Sequence, residues 1–205
     1  MLELDHLAVS GETLEDAKQA MEAALGVSLQ AGGRHDVFGT HNALLGLDDG
    51  LYLEAIAIDP KAPVPDRPRW FDLDQFRGAP RLTNWICRTE RLEEVLARLP
   101  EGAGGPVDLR RGDLRWTMVV PKDGRLPFDN LHPALIRWTG GGHPSDMLAA
   151  SGCRLKRLVV MHPMAKTLAE VLAPLLNDTR VAFETEERIA LCAEIDTPHG
   201  VRSLK

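Results

Sequence analysis

Leu4-Asp5-His6-Leu7-Ala8-Val9 and, further along, Leu51-Tyr52-Leu53-Glu54-Ala55-Ile56 each set one metal-capable side chain in apolar company. Both read as short strands. With a period of two, Leu4, His6 and Ala8 share one face of the first, and Tyr52, Glu54 and Ile56 share one face of the second. An imidazole and a carboxylate therefore look into the same cavity. Between them lie a helix-like stretch and then Gly32-Gly33-Arg34-His35-Asp36-Val37-Phe38-Gly39-Thr40-His41-Asn42-Ala43-Leu44-Leu45. The latter reads as a turn with two strands, so the order is strand, helix, strand, strand, strand.

That order, with His on the first strand and Glu on the last, resembles the vicinal oxygen chelate superfamily and, within it, the glyoxalase-like proteins. The resemblance is densest over residues 1–58. There the L-D-H-L opening, the G-G-R-H and G-T-H-N runs and the L-E close fall in register. It implies an α+β fold in which repeated βαβββ modules form a cupped mixed sheet with helices outside.

A self-comparison supports repetition. Leu92-Glu93-Glu94-Val95-Leu96-Ala97-Arg98-Leu99 matches Leu168-Ala169-Glu170-Val171-Leu172-Ala173-Pro174-Leu175 at six of eight positions. A weaker third copy begins at Thr13, with Leu14, Ala17, Met21, Ala24 and Leu25 as the apolar stripe of an amphipathic helix. Each helix follows a strand. Thr13 and Thr167 are the expected N-caps, and Thr167-Leu168-Ala169-Glu170 has the capping-box pattern. The modules run over about 1–58 and 82–138, with a partial third at 153–205. Proline-rich residues 60–68 and Gly140-Gly141-Gly142-His143-Pro144 connect them. A strand–helix unit cannot bury both faces alone, so residues 1–205 are expected to form a single glyoxalase-like domain.

The chain is long enough to bury a core without a disulfide or structural metal. Twenty-four basic residues against thirty acidic ones give a formal charge of −6 with no basic block. This argues against nucleic acid or an anionic membrane surface as partner and favours a small molecule. Cys87, Cys153 and Cys192 are odd in number, far apart and outside any C-x-x-C, which fits a reducing compartment. The residues after Met1 lack the pattern of a signal peptide, and no apolar run is long enough to span a membrane. A cytoplasmic location is expected.

The resemblance implies that His6 and Glu54 are ligands of a divalent metal (Zn, Mn, Fe or Ni) that chelates neighbouring substrate oxygens, or otherwise form a catalytic acid/base pair. Imidazole and carboxylate suit such ions while leaving positions open. The second module does not complete a ligand set. Its alignment puts Asn84 or Trp85 opposite His6 and Arg137 opposite Glu54, and the third offers Arg157 or Leu158 with Glu194 at the end.

Two repairs stand side by side. His35 or His41 can join His6 and Glu54 in a two-His, one-carboxylate set. Alternatively there is no cofactor, and Arg137 with Arg115 holds an anionic substrate between walls of Trp85, Trp116 and Trp138. His41 and Asn42 are further candidate contacts, although Asn42 can equally bond its own backbone. The remaining histidines read as loop residues, and Cys87 and Cys192 as inert core thiols.

The chain has no G-x-S-x-G, no Walker loop and no G-x-G-x-x-G after a strand. The expected activity is that of a lyase, isomerase or dioxygenase on a small oxygen-rich, anionic metabolite. A non-catalytic binding or sequestering protein of the same fold is the alternative. Homodimers are common in the family and are compatible with this chain.

Overall fold

Hydrophobic alternation produces strands here, and their pairing builds the cup. The computed structural model describes residues 1–99 and 101–205. The first module comprises β1 (Glu3–Ser10), α1 (Leu14–Leu25), β2 (Gln30–His35), β3 (Thr40–Gly46) and β4 (Tyr52–Ile58). A 3-10 segment, Trp70–Gln75, precedes the second: β5 (Arg81–Arg88), α2 (Leu92–Leu96), β6 (Gly105–Arg111), β7 (Leu114–Val120) and β8 (Ala134–Gly140). After a one-turn helix, α3 (Pro144–Met147), come β9 (Arg154–Met161), α4 (Ala165–Leu172), β10 (Val181–Glu184), β11 (Ala190–Thr197) and β12 (Gly200–Leu204).

A repeat in sequence is a repeat in structure only if the strand pairing matches, and for the first two modules it does. They share one eight-stranded sheet in the order β2-β3-β4-β1-β5-β8-β7-β6. In each, the first strand runs parallel to the last: β1 with β4 and β5 with β8. The modules meet at the antiparallel seam of β1 and β5, where His6 pairs with Ile86. The sheet curls until its edges β2 and β6 approach each other, and the concave face becomes a cup.

The third unit repeats the strand–helix opening but is wired differently. It makes a separate four-stranded sheet, β10-β9-β11-β12, in which β9 lies between β10 and β11. This sheet covers the outer face of the cup. Leu158, Val160, Leu191 and Ile195 join Leu7, Leu53, Trp85 and Leu135 in one apolar core. A second core fills the inside, where Trp70, Phe71, Leu73 and Phe76 of the 3-10 segment pack over Ala8, Ile56, Ile86 and Ile136. Because both faces are covered, β1 and β4 are buried almost throughout, and a buried polar side chain there needs a partner.

Helix α1 follows its sequence reading. The Thr13 hydroxyl accepts a bond from Asp16 N–H at 3.1 Å, and Ala17, Met21 and Leu25 face the core. One helix expectation needs correction. Thr167 is not a cap, because α4 begins earlier: His162 Nδ1 accepts from Met164 N–H at 2.9 Å and its carbonyl from Ala165 N–H, which starts the turn two residues ahead. Helix α2 is short, Leu92–Leu96, and runs on into turns in which Arg98 N–H reaches the Val95 carbonyl and Leu99 N–H the Leu96 carbonyl. No helix among the described residues is long and apolar enough to cross a membrane.

Candidate active site

His6 and Glu54 project from neighbouring parallel strands into the cup. The register places His6 opposite Tyr52 and Ala8 opposite Glu54, so the two polar groups are one step apart on the same face. His6 Nε2 and Glu54 Oε2 are 3.7 Å apart, and both residues are only 4% exposed. The His6 ring lies flat on Tyr52, with centroids 4.3 Å apart.

Strict alternation would send Asp5 to the opposite face. A register shift between Leu4 and His6 in the pairing with β5 re-aims it, as bulges do. Asp5 Oδ1 accepts from His6 Nδ1 at 2.5 Å, and Oδ2 accepts from Trp138 Nε1 and His143 Nε2, each at 3.0 Å. Burial pushes the Asp5 carboxyl up, but hydrogen bonds from His143 and His6 and their charges outweigh it, holding the group well below the usual carboxylate range.

An ionised carboxylate only accepts, so His6 carries a hydrogen on Nδ1 and in its neutral form turns a bare Nε2 toward Glu54 and the cavity. His143 is fixed by similar logic. It caps α3, its Nδ1 accepts from Ser145 N–H at 3.3 Å, and Nε2–H is left for Asp5.

Asn42 orients Glu54. Its Nδ2 donates to Glu54 Oε1 at 2.6 Å, which leaves Oε2 facing His6. Its Oδ1 accepts from Gly33 N–H at 2.8 Å and from Arg111 Nη1 at 3.2 Å. Gly32 and Gly33 make this possible. A Cβ on Gly32 would stand 2.0 Å from Asn42 Oδ1, and one on Gly33 would stand 2.4 Å from Arg111 Cδ. The glycine pair is thus a notch through which Arg111, at the end of β6, crosses from the opposite edge of the sheet.

Burial, reinforced by the Arg111 charge, lowers His35 to about 3, so the ring is neutral at ordinary pH. His35 Nδ1 lies 3.0 Å from Thr40 Oγ1, and Nε2 lies 3.4 Å from Arg111 Nη1. Arg111 itself is half-buried, and among the described residues it meets a neutral amide and a neutral ring but no carboxylate.

The remaining walls are Trp116, Met118, Ile136 and Trp138 from the second module, with Trp70 and Phe71 above. They leave a cavity of about 30 Å³, space for little more than a water molecule. The Trp70 indole N–H, at this wall, has no hydrogen-bond partner among the described residues.

Of the residues singled out from sequence, the cup brings together His6, Glu54, His35, Asn42, Trp116 and Trp138. Four lie elsewhere. Trp85 is on the outer face of β5, donating to the Leu131 carbonyl at 2.8 Å beside Phe183. Arg137 reaches away from the cup to Glu93 of α2 at 2.8 Å. Arg115 is exposed and donates to the Gly112 and Leu114 carbonyls at 2.6 and 2.9 Å. His41 faces away from Asn42, near Arg34 and Asp59. Glu194 is in the second sheet, near Lys156.

The register explains these displacements. His6 pairs with Ile86, and Ile86 with Ala134, just as His6 pairs with Tyr52. The counterparts of His6 and Glu54 are therefore Ile86 and Ile136, not Asn84 or Trp85 and Arg137. A shift of one residue turns a side chain to the other face.

Sequence reasoning missed Asp5, Tyr52, Trp70, Arg111 and His143 as parts of the site. For Asp5 a signal existed, a carboxylate within an apolar strand. Arg111 and His143 arrive from distant segments, and no local pattern marks them.

The donor set does not fit the family's divalent metal. No three His, Cys, Asp or Glu side chains among the described residues are grouped to share an ion. His6 and Glu54 supply two donors; His35 is tied to Thr40 and faces the Arg111 guanidinium, which opposes a cation, and Ile86 and Ile136 stand where a second pair would be.

A family model described as a glyoxalase-like domain matches residues 4–176. No curated protein matches. Among solved structures, that of a hypothetical protein from Staphylococcus aureus is similar at 13% identity, over 95% of this chain and 81% of its own, with a TM-score of 0.58. Methylmalonyl-CoA epimerase from Mycobacterium tuberculosis is 21% identical over 68% of this chain and 88% of its own, with a TM-score of 0.43. The Streptomyces coelicolor epimerase, in complex with 2-nitronate-propionyl-CoA, is 16% identical over 68% and 97%, with a TM-score of 0.42. The first likeness concerns the fold alone, and the other two are too distant in shape for their chemistry to carry over.

Proposed function

Since this chain belongs to the glyoxalase-like domain family, we propose that it is a proton-transfer enzyme, an isomerase or lyase acting on a small anionic, oxygen-rich metabolite without a resident metal. The observation that carries the reading is the line Asp5–His6–Glu54, with 2.5 Å between Asp5 Oδ1 and His6 Nδ1 and 3.7 Å between His6 Nε2 and Glu54 Oε2. The second gap is long for a direct bond and leaves room for a substrate atom to address both groups.

In this reading one of the pair removes a proton from a carbon beside a carbonyl, and the electron pair moves onto the carbonyl oxygen. When His6 is the base, Asp5 stabilises the imidazolium. Glu54, fixed by Asn42, is the second acid/base group and delivers a proton in the return step. Arg111 offsets the charge developing on oxygen, a role for which its lack of a carboxylate partner suits it. Return of a proton to carbon gives an isomerase; expulsion of a neighbouring group gives a lyase. A dioxygenase is disfavoured because two donors beside a guanidinium suit a redox ion poorly.

The test is incubation in heavy water with a panel of 2-oxo, 2-hydroxy and malonate-type acids, following loss of the carbon-bound proton by NMR. Exchange by the wild type but not by His6→Gln or Glu54→Gln is expected. Equal exchange by the variants, or none by the wild type across the panel, contradicts it.

The apolar Ile86 and Ile136, standing where a second polar pair would be, favour a second reading, a binding protein of the same fold without catalysis. In that case a panel acid binds saturably, Arg111→Gln weakens it, and no proton exchanges.

A further inference from the structure

Outside the cup, where β2 and β6 approach, a second concavity is lined by Arg34, Asp36, Arg110, Arg111, Gly112 and Arg115. Four guanidiniums gathered in one hollow run against a chain whose formal charge is −6. Their counter-charges are few. Arg34 uses Nε on buried Asp59 at 3.0 Å, which leaves its terminal nitrogens toward solvent. Arg115 is pinned by the Gly112 and Leu114 carbonyls, not by a carboxylate. Arg110 and Arg111 make no ion pair among the described residues. Among the described residues Asp36 is the one acid in the lining, and Asp113 lies in the β6–β7 turn beside Gly112.

Arg111 belongs to both spaces. It lines the inner cavity and the outer hollow, passing between them over Gly33. A ligand lying along this side chain would place one end beside His6 and Glu54 and the other among Arg34, Arg110 and Arg115. A carboxylate is satisfied by a single bidentate arginine, whereas a phosphate has three oxygens and close to two charges to distribute. The inner cavity is also too small to enclose a whole metabolite, so the ligand must extend outward.

We propose that this arginine rim is a phosphate-binding site, and that the substrate carries a phosphate group held there while its reacting end enters the cup. The second half of this rests on the acid/base reading above; the binding of phosphate does not. A phosphate monoester and a diphosphate present the same anionic oxygens, and the rim recognises what the two share.

The experiment is titration of the protein with inorganic phosphate, methyl phosphate and pyrophosphate, followed by phosphorus NMR and calorimetry. The wild type should bind saturably. Arg110→Gln with Arg115→Gln, both exposed, should weaken binding by about tenfold or more without changing the circular dichroism spectrum, and His6→Gln should bind like the wild type. Stronger binding of methyl phosphate points to a monoester and stronger binding of pyrophosphate to a diphosphate, and either supports the site. No saturable binding, or equal binding by the double variant, overturns it. Because His6→Gln is judged here by binding alone, failure of the acid/base reading would leave this result standing.

Discussion

Asp5 and His6 are consecutive residues on one strand, yet their side chains meet at 2.5 Å because a register shift brings the aspartate round to the imidazole. The same carboxylate receives Trp138 from β8 and His143 from the start of α3. One buried anion thereby ties the base of the first module to the wall of the second.

Replacing Asp5 with Asn keeps the shape but offers the imidazole an amide. Turnover should fall by about a hundredfold or more, the range for a misdirected acid/base group. The stability of the wild type should also show the carboxylate. Burial opposes its charge, but the two histidine bonds prevail and its folded pKa is depressed. Its contribution is therefore complete above the ordinary carboxylate value of about 4 and is lost as pH falls toward the folded value. Urea midpoints measured from neutral to acid pH should decline below about pH 4 in the wild type and more gently in Asp5→Asn.

His35 gives a linkage of opposite origin. Its folded pKa is lowered from 6.5 to about 3 by burial and by Arg111. The unfolded chain takes up the proton first, so stability present above the unfolded pKa is lost as pH falls through it. Between about pH 7 and about pH 5 this amounts to about 2 kcal/mol. Urea unfolding of His35→Gln at both values should show a pH dependence smaller by that amount; an unchanged dependence would refute the assignment.

Gly33→Ala places a methyl group where the Arg111 stem passes. The arginine can swing outward, so the protein should stay folded while its affinity for anions and its turnover collapse. Gly32→Ala meets the Asn42 side chain and its backbone carbonyl, 2.6 Å away, and cannot be relieved so simply. Its cost should be about 2 kcal/mol or more, and thermal melting should rank it below Gly33→Ala.

Arg137→Ala should leave turnover, anion affinity and melting temperature unchanged. Its partner Glu93 is on the outer helix face, and an exposed pair of this kind contributes little. A large loss of activity would place Arg137 in the site, against its observed direction.

The contrast of Arg137 with Glu54 shows what was legible in the sequence. The order of elements, the cup and the inward face of His6 and Glu54 follow from period-two alternation and the repeat, because each depends on near neighbours. Arg137 failed because the register between modules is set by pairing across β1, β5 and β8, where Ile136 takes the inward position. Arg111 and His143 were not visible because their roles depend on the curl of the sheet and on a turn after three glycines, relationships between residues far apart in the chain. The third unit shows the limit of repeats: its strand and helix match the others, but its strands pair in another order.

The central claim is that Asp5 holds His6 with its hydrogen on Nδ1 and Nε2 turned to Glu54. Nitrogen NMR of the protein labelled at histidine tests this directly. At neutral pH the account predicts that neutral His6 is the Nδ1–H form, with a strongly deshielded proton on that nitrogen that disappears in Asp5→Asn. An Nε2–H form of His6, or a spectrum unaffected by Asp5→Asn, would contradict it.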